Sequence, residues 1–403
     1  MKKIIIAGGG ISGLAARYYL SKRYPEAEIV LVEKGDRLGG CIQSSDTPFF
    51  FERGPRTIKA SRADALISLI DEIGLSDEMI YSSKEARRRF LWKKGKLEAL
   101  TPFSPLIRPM LPALLKEWRQ PYPWEGDETI ASFATRRFGK YVAETLFDPL
   151  TLGIFAGDIH KLSISACFPE LKAMEMDYGS LTRAFFKKKK EKKKRGLFTL
   201  RGGLQTLIDR LIEKGRGEIH LNTPLTSLSE EKLILALPAP AVKGLFSGDG
   251  EIQQFFDLLE GASITVVNVA YKKELLKKKE FGYLVPSSEK EKVLGVVFDS
   301  AIFPLQNQTR DETRLTVMLR EGGVETALEG LQRHLGIQSE PIEIQLKEWK
   351  EAIPQYGVGH LKRVEMFEKH LKEKYPHIRC IGNYLHGASV NQCVHLSNLI
   401  SKI

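Results

Sequence analysis

The chain is poor in cysteine: Cys41, Cys167, Cys380 and Cys393 are far apart in 403 residues and form no CxxC pair. That spacing excludes a disulfide framework and predicts reduced thiols in a cytosolic protein, most of them acting as small buried apolar residues. The eight histidines show no HExxH-like spacing, so no metal is expected. No apolar run reaches the thickness of a bilayer, and no apolar, small-residue leader precedes the first strand. Neither a membrane span nor a cleaved signal is therefore expected. There is no internal repeat. Positive charge, by contrast, is abundant and uneven: the formal net charge is +11, and Lys187 to Arg195 alone holds eight bases and one acid. Like charges repel, so this run reads as a solvated loop, and it also suits anionic lipid head groups. No aromatic residues interleave the lysines, which argues against nucleic acid. A hydrophobic content of 42% and a charged content of 28% fit a soluble globular chain with room for two or three domains.

The first forty residues organise the rest. Ile4 to Ile6 read as a strand, Gly8-Gly9-Gly10-Ile11-Ser12-Gly13 as a turn, and Leu14 to Tyr19 as the opening of a helix. A second apolar run, Ile29 to Val32, ends on Glu33 and Lys34, and Glu33 lies 20 residues past Gly13. Strand, glycine turn, helix, strand and acid at this spacing make a dinucleotide-binding βαβ unit. Gly8 permits the turn, Gly10 lets backbone approach a diphosphate, and Gly13 lets helix and strand pack. Glu33 is placed to accept from ribose hydroxyls. The following Arg37-Leu38-Gly39-Gly40 resembles the segment that keeps backbone close to FAD in flavoprotein amine oxidases. FAD is therefore expected rather than a nicotinamide cofactor.

Further along, Cys41 to Ser44 reads as a strand and Ser61 to Ile73 as a helix with a Ser61–Asp64 capping pair, ended by Gly74. Four prolines between Leu100 and Trp118 exclude one long helix there. Leu106, Ile107, Met110, Leu111, Leu114 and Leu115 make either a packed corner or a patch that dips into one leaflet. Asp127 to Phe138 and Tyr141 to Phe147 read as helices, and Gly153 to Asp158 as a turn. From Ile264 to Leu319 the chain is β-rich. The C-terminal strand, glycine turn and helix suit a return to the cofactor domain.

Spread along almost the whole chain, the motifs resemble the oxygen-dependent protoporphyrinogen oxidase family and its coproporphyrinogen III branch, within the FAD-dependent amine oxidase superfamily. They include Gly54-Pro55-Arg56, Arg89-Phe90-Leu91, Leu200-Arg201-Gly202-Gly203-Leu204, Phe281 to Pro286, Phe298-Asp299-Ser300, Pro354-Gln355-Tyr356 and Val390-Asn391-Gln392-Cys393. The resemblance implies an α/β (α+β) fold: a Rossmann-like FAD-binding domain, a β-rich substrate domain and a helical membrane-contacting domain. The expected divisions are 1–70 with 196–250 and 355–403, 71–86 with 251–354, and 87–195. It also implies non-covalent FAD held by Gly8, Gly9, Gly10, Ile11, Ser12, Gly13, Glu33, Lys34, Gly39, Gly40, Gly54, Pro55, Arg56, Thr57, Trp349, Ala388, Ser389 and Val390. Substrate positions carry over to Arg89, facing a propionate, Gly153, whose carbonyl faces pyrrole N–H groups, and Leu284 and Met318, lining the macrocycle.

The implied enzyme is an oxidoreductase acting on CH–CH groups in heme biosynthesis. It takes protoporphyrinogen IX to protoporphyrin IX in three two-electron steps, with oxygen reduced to hydrogen peroxide. Coproporphyrinogen III oxidation is the alternative, and another amine oxidase or a carotenoid desaturase a more distant one. No catalytic acid or base is assigned, because the flavin carries the electrons. A peripheral attachment to the inner face of the cell membrane is expected, with assembly left open between monomer and homodimer.

Overall fold

The run Ile4-Ile5-Ile6 forms the strand Lys3–Ala7, which pairs in parallel with Glu28–Val32 on one side and Lys232–Leu235 on the other. Glu218–His220 and Ile378–Cys380 complete an all-parallel five-stranded sheet. Such a sheet is covered on both faces and needs apolar residues in both directions. Ile4, Ile6, Ile234 and Leu31 pack toward the helices Ile11–Arg23, Gln205–Lys214 and Val390–Ile400. Ala7, Leu233 and Leu235 pack toward Ala239–Leu245, Gly250–Asp257 and His360–Lys374. A computed structural model describes residues 3–45, 47–119, 123–187, 196–277 and 279–401. In it the chain divides into two units, one of Met1–Tyr81, Lys193–Glu260 and Leu361–Ile403, the other of Ser82–Lys192 and Gly261–His360. All but Lys187 of the basic run Lys187 to Arg195 lies outside the described residues.

Two expectations in the first unit are corrected. The helix read from Ser61 spans Asp64–Glu72, because Ser61 is taken up in a 3-10 turn, Ala60–Arg62. Its N-cap, Ala63, has no side chain to offer, and the Leu66 amide instead donates to Asn391 Oδ1 at 3.0 Å. The strand read at Cys41–Ser44 is only Ser44–Ser45, paired with Phe51–Glu52. The Arg37 guanidinium holds the carbonyls of Gly40 and Ile42 at 2.9 and 2.8 Å, which keeps that stretch in a loop.

The second unit is built on a mixed sheet of seven strands in the order Glu343–Gln355, Glu260–Tyr271, Thr313–Leu319, Val293–Val297, Gly282–Leu284, Arg89–Lys93 and Lys96–Ala99. Alternate residues face opposite sides. Val267, Val317, Val296 and Tyr283 share one side with Ala327 and Leu331 of the helix Val324–Leu335, forming the unit's core.

The helices of this unit are joined by buried charge. Glu117, at the end of Leu111–Trp118, accepts from Ser180 Oγ at 2.7 Å and from the Leu181 and Thr182 amides at 2.9 and 3.0 Å, capping the helix Leu181–Lys187. Arg137 reaches Glu175 with Nε at 2.7 Å and lies 3.6 Å from Glu117. The helix read from Asp127 begins at Ile130, where Thr129 Oγ1 accepts the Ser132 amide. Asp127 accepts instead from Ser163 Oγ and the Gly359 amide, both at 2.7 Å. Burial pushes its carboxyl up, but the Gly359 amide and the hydroxyls of Ser163 and Ser165 outweigh that and hold it below the usual range. Beyond a π turn at Ala143–Phe147, the helix Asp148–Phe155 takes in Gly153, which the sequence reading put in a turn. The chain turns only at Ala156, with φ +49°.

Candidate functional site

In the first unit the glycine-rich turn has two kinds of glycine. At Gly8, with φ +106°, a Cβ would lie 2.3 Å from the Ala236 carbonyl oxygen, and at Gly13 one would lie 1.9 Å from the Gly8 oxygen. These two are required by close packing of strand, turn and helix. A Cβ at Gly9 would strike Leu38 at 2.3 Å. Gly10 is different: a Cβ there meets only the Gly40 Cα, at 3.9 Å, so the backbone borders open space.

Gly10 is also the N-cap of the helix Ile11–Arg23, with no capping side chain and no acid in the first turn. The amides of Ile11, Ser12 and Gly13 open that helix, where N–H groups lack intrahelical partners and carry partial positive charge. A diphosphate fits that position. The Glu33 carboxylate accepts from the Gly9 amide at 2.7 Å and the Gly35 amide at 2.8 Å, which fixes it beside the turn with acceptor capacity left for hydroxyl groups. Lys34 is exposed next to it.

The Gly39 amide donates to the Gly9 carbonyl at 2.8 Å, so the loop at Gly39-Gly40 stands against the turn. Gly54 packs so closely on Cys41 that a Cβ would lie 1.9 Å from its carbonyl oxygen, which brings Pro55, Arg56 and Thr57 alongside the same loop. Ser389, between Ala388 and Val390, caps the helix Val390–Ile400 by accepting the Gln392 amide. That helix is tied to the first by Ser397 Oγ, which donates to the Ser12 carbonyl at 2.8 Å. The chemistry of this set, a glycine cradle on open space, a helix N-terminus and a fixed carboxylate, fits a dinucleotide such as FAD. Trp349, also expected to contact the cofactor, lies in the second unit on the strand Glu343–Gln355, with Lys347 Nζ 4.9 Å from its ring centroid. Arg37, at the head of the expected Arg-Leu-Gly-Gly segment, braces the Gly-Gly loop. One contributor was missed in the sequence. The Ala236 carbonyl that forbids a side chain at Gly8 leaves no local trace.

The four expected substrate positions all fall in the second unit. Val266, Met318, Gly295, Leu284 and Leu91 are successive cross-strand partners. The row two residues further along is Asn268, Thr316, Val297, Gly282 and Arg89. Arg89, Leu284 and Met318 therefore share the face opposite the valine core. Gly153 meets that face from the helix Asp148–Phe155: a Cβ on it would lie 2.6 Å from Leu284 Cδ2. It sits in the last helical turn, where carbonyls run out of intrahelical amides. The Arg89 side chain lies over Phe281, with Cζ 4.6 Å from the ring centroid, and desolvation lowers its pKa from the ordinary guanidinium value.

Comparison with known proteins agrees with this architecture. The family described as flavin containing amine oxidoreductase matches residues 11–396. The protoporphyrinogen oxidase of Bos taurus is 31% identical, with 98% of this chain and 96% of that protein covered. The coproporphyrinogen III oxidase of Bacillus subtilis is 26% identical over 98% of this chain and 96% of that protein. A solved structure from Exiguobacterium, provisionally named a protoporphyrinogen oxidase, superposes with a TM-score of 0.87 at 25% identity, covering 100% of this chain and 98% of that one. A UDP-galactopyranose mutase structure, at 14% identity and a TM-score of 0.77, shares the fold alone. With the family match spanning both units and relatives aligned nearly end to end, the chain belongs to the flavin-containing amine oxidoreductases, as an FAD-dependent oxidoreductase of the group that includes the protoporphyrinogen oxidases.

Proposed function

We propose that this chain oxidises a porphyrinogen to the corresponding porphyrin, with FAD as electron acceptor and oxygen as the final oxidant. The observation that carries the reading is the clustering of Arg89, Leu284, Met318 and Gly153 on one sheet face, four positions widely separated in sequence. Bound FAD supplies a two-electron acceptor. The protein's own groups bind and orient the substrate. Arg89 offers a planar, charged fork to a propionate. Leu284 and Met318 give the macrocycle an apolar floor, and the Gly153 carbonyl accepts from pyrrole N–H groups. The names of the relatives, both protoporphyrinogen and coproporphyrinogen III oxidases, support the substrate class.

On this reading residues 1–70, 196–250 and 355–403 hold the cofactor, and 71–86 with 251–354 the substrate. The segment 87–195 supplies Arg89, Gly153 and a peripheral membrane contact. Among the described residues no helix is long and apolar enough to cross a membrane. Exposed Leu111 and Leu115, with exposed Phe185 and Phe186 that directly precede the basic run in sequence, support contact with one leaflet. The test is anaerobic mixing of the yellow protein with protoporphyrinogen IX or coproporphyrinogen III. Flavin absorbance should bleach under anaerobic conditions, and admitting oxygen should restore it as porphyrin fluorescence grows over three two-electron rounds. An unbleached flavin would leave a flavin-binding protein without this activity.

A further inference from the structure

We infer that Arg320 binds a second substrate carboxylate at the far end of the sheet face that carries Arg89, and that the preferred porphyrinogen is a tetracarboxylate. The inference rests on the porphyrinogen reading above and chooses within it.

Arg320 directly follows the strand Thr313–Leu319, two residues past Met318, and its amide prolongs the ladder by donating to the Lys292 carbonyl at 2.9 Å. Leu319 packs into the valine core, so by strand alternation Arg320 belongs with Met318 on the opposite face. Its side chain is exposed, and among the described residues it makes no salt bridge. Glu348 and Glu351 line the same cleft of about 270 Å³, together with Trp349, and neither pairs with it. Its electrostatic neighbour is Asp148, a buried carboxylate already bonded to the Ser287 amide at 2.7 Å. A solvent-facing guanidinium with no salt bridge among the described residues, beside an apolar floor, can receive a further carboxylate.

The register separates it from Arg89. Arg89 aligns with Thr316 across Gly282 and Val297, which is three strands over and four residues back from Arg320. At ~4.8 Å per strand and ~3.3 Å per residue, the two Cα atoms stand roughly 20 Å apart on the diagonal. Leu284 and Met318 lie between the two positions, and a bound tetrapyrrole would draw both long arginine side chains inward across that gap. Protoporphyrinogen IX carries its two propionates on adjacent rings and vinyl groups on the others. Coproporphyrinogen III carries a propionate on every ring. Only the second presents carboxylates to both arginines at once.

The test compares kcat/KM for coproporphyrinogen III and protoporphyrinogen IX in the wild type, Arg320→Gln and Arg320→Lys, all checked for full FAD content. Equilibrium binding of the two porphyrin products is read in parallel by fluorescence quenching. The wild type should favour the tetracarboxylate in both assays. Arg320→Gln should reduce that preference by about tenfold, the scale of one charged hydrogen bond, and Arg320→Lys by less. An unchanged ratio in Arg320→Gln, or a wild-type preference for the dicarboxylate, overturns the assignment while leaving the oxidase reading standing. If neither porphyrinogen is turned over but product binding still depends on Arg320, the oxidase reading fails and the carboxylate site survives.

Discussion

At the scale of single residues, the glycines were legible because backbone geometry admits nothing else there. Gly8 and Gly13 have no room for a Cβ, whereas Gly10 faces open space. That difference separates folding from binding. Gly10→Leu should fold with an unchanged circular dichroism spectrum yet purify colourless, since its side chain would occupy the diphosphate position. A yellow Gly10→Leu protein would count against the cradle. The expectation for Arg89 rests on its motif alone; that it shares a face with Leu284 and Met318 depends on register between distant strands, which no local pattern encodes. Arg89→Ala should raise KM about ten- to a hundredfold, the equivalent of ~1.5–3 kcal/mol, with FAD retained, and an unchanged KM would reduce it to a surface arginine. Ala156 sits left-handed at a helix end, at φ +49°. Ala156→Gly should therefore stabilise the protein by roughly 0.5–1 kcal/mol in urea unfolding.

At the scale of elements, the cores of helices and strands were readable from apolar spacing, and the ends were not. Ser61 with Asp64 is a good local capping signature, yet a 3-10 turn displaced it and Asn391 took over the cap from more than 300 residues away. Glu117 shows the same effect: a charged residue on an exposed-looking amphipathic helix is fully buried as the cap of another. Glu117→Ala would remove a buried countercharge beside Arg137 and leave the Ser180 hydroxyl and the amides of Leu181 and Thr182 short of an acceptor. The expected loss is about 3–5 kcal/mol, read by chemical denaturation.

His334 joins a helix to the sheet, stacked on Trp92 at 4.1 Å between centroids, with Nδ1 2.9 Å from the Tyr283 hydroxyl. Burial lowers its pKa from 6.5; Glu291 opposes that and Arg333 adds to it. Above 6.5 folded and unfolded chains both hold it neutral. As pH falls below that value the unfolded chain takes up the proton first, so stability declines progressively toward the folded-state pKa. The urea midpoint should therefore drop between pH 7.5 and 5.5, and drop less in His334→Gln.

At the scale of the whole molecule, composition gave the class and charge but not the assembly of the second sheet, which collects strands from both sides of the first unit's middle segment. The apolar surface it could not foresee is a pair: Trp118 and Phe186 stand 5.3 Å apart, joining the exposed faces of Leu111–Trp118 and Leu181–Lys187. Anionic vesicles should bind the protein at low salt and release it as salt rises, because screening weakens the basic contribution. Phe185→Ser with Phe186→Ser should weaken binding at every salt concentration, whereas deleting 187–195 should abolish mainly the salt-sensitive part. Equal binding by all three proteins would remove the membrane from the account.

The strand Arg89–Lys93 pairs with Gly282–Leu284, and Ile378–Cys380 and Val390–Ile400 complete the first unit. During synthesis, then, the strand that carries Arg89 pairs at once with Lys96–Ala99 but waits for nearly two hundred further residues before its parallel partner exists. The cofactor cradle waits for the closing helix to leave the ribosome. Long-range pairing of this kind is slow and leaves apolar strand surface uncovered for seconds. Supplying the flavin early should do little for the nascent chain, while chaperone supply, low temperature and slow translation should govern how much yellow protein a cell accumulates.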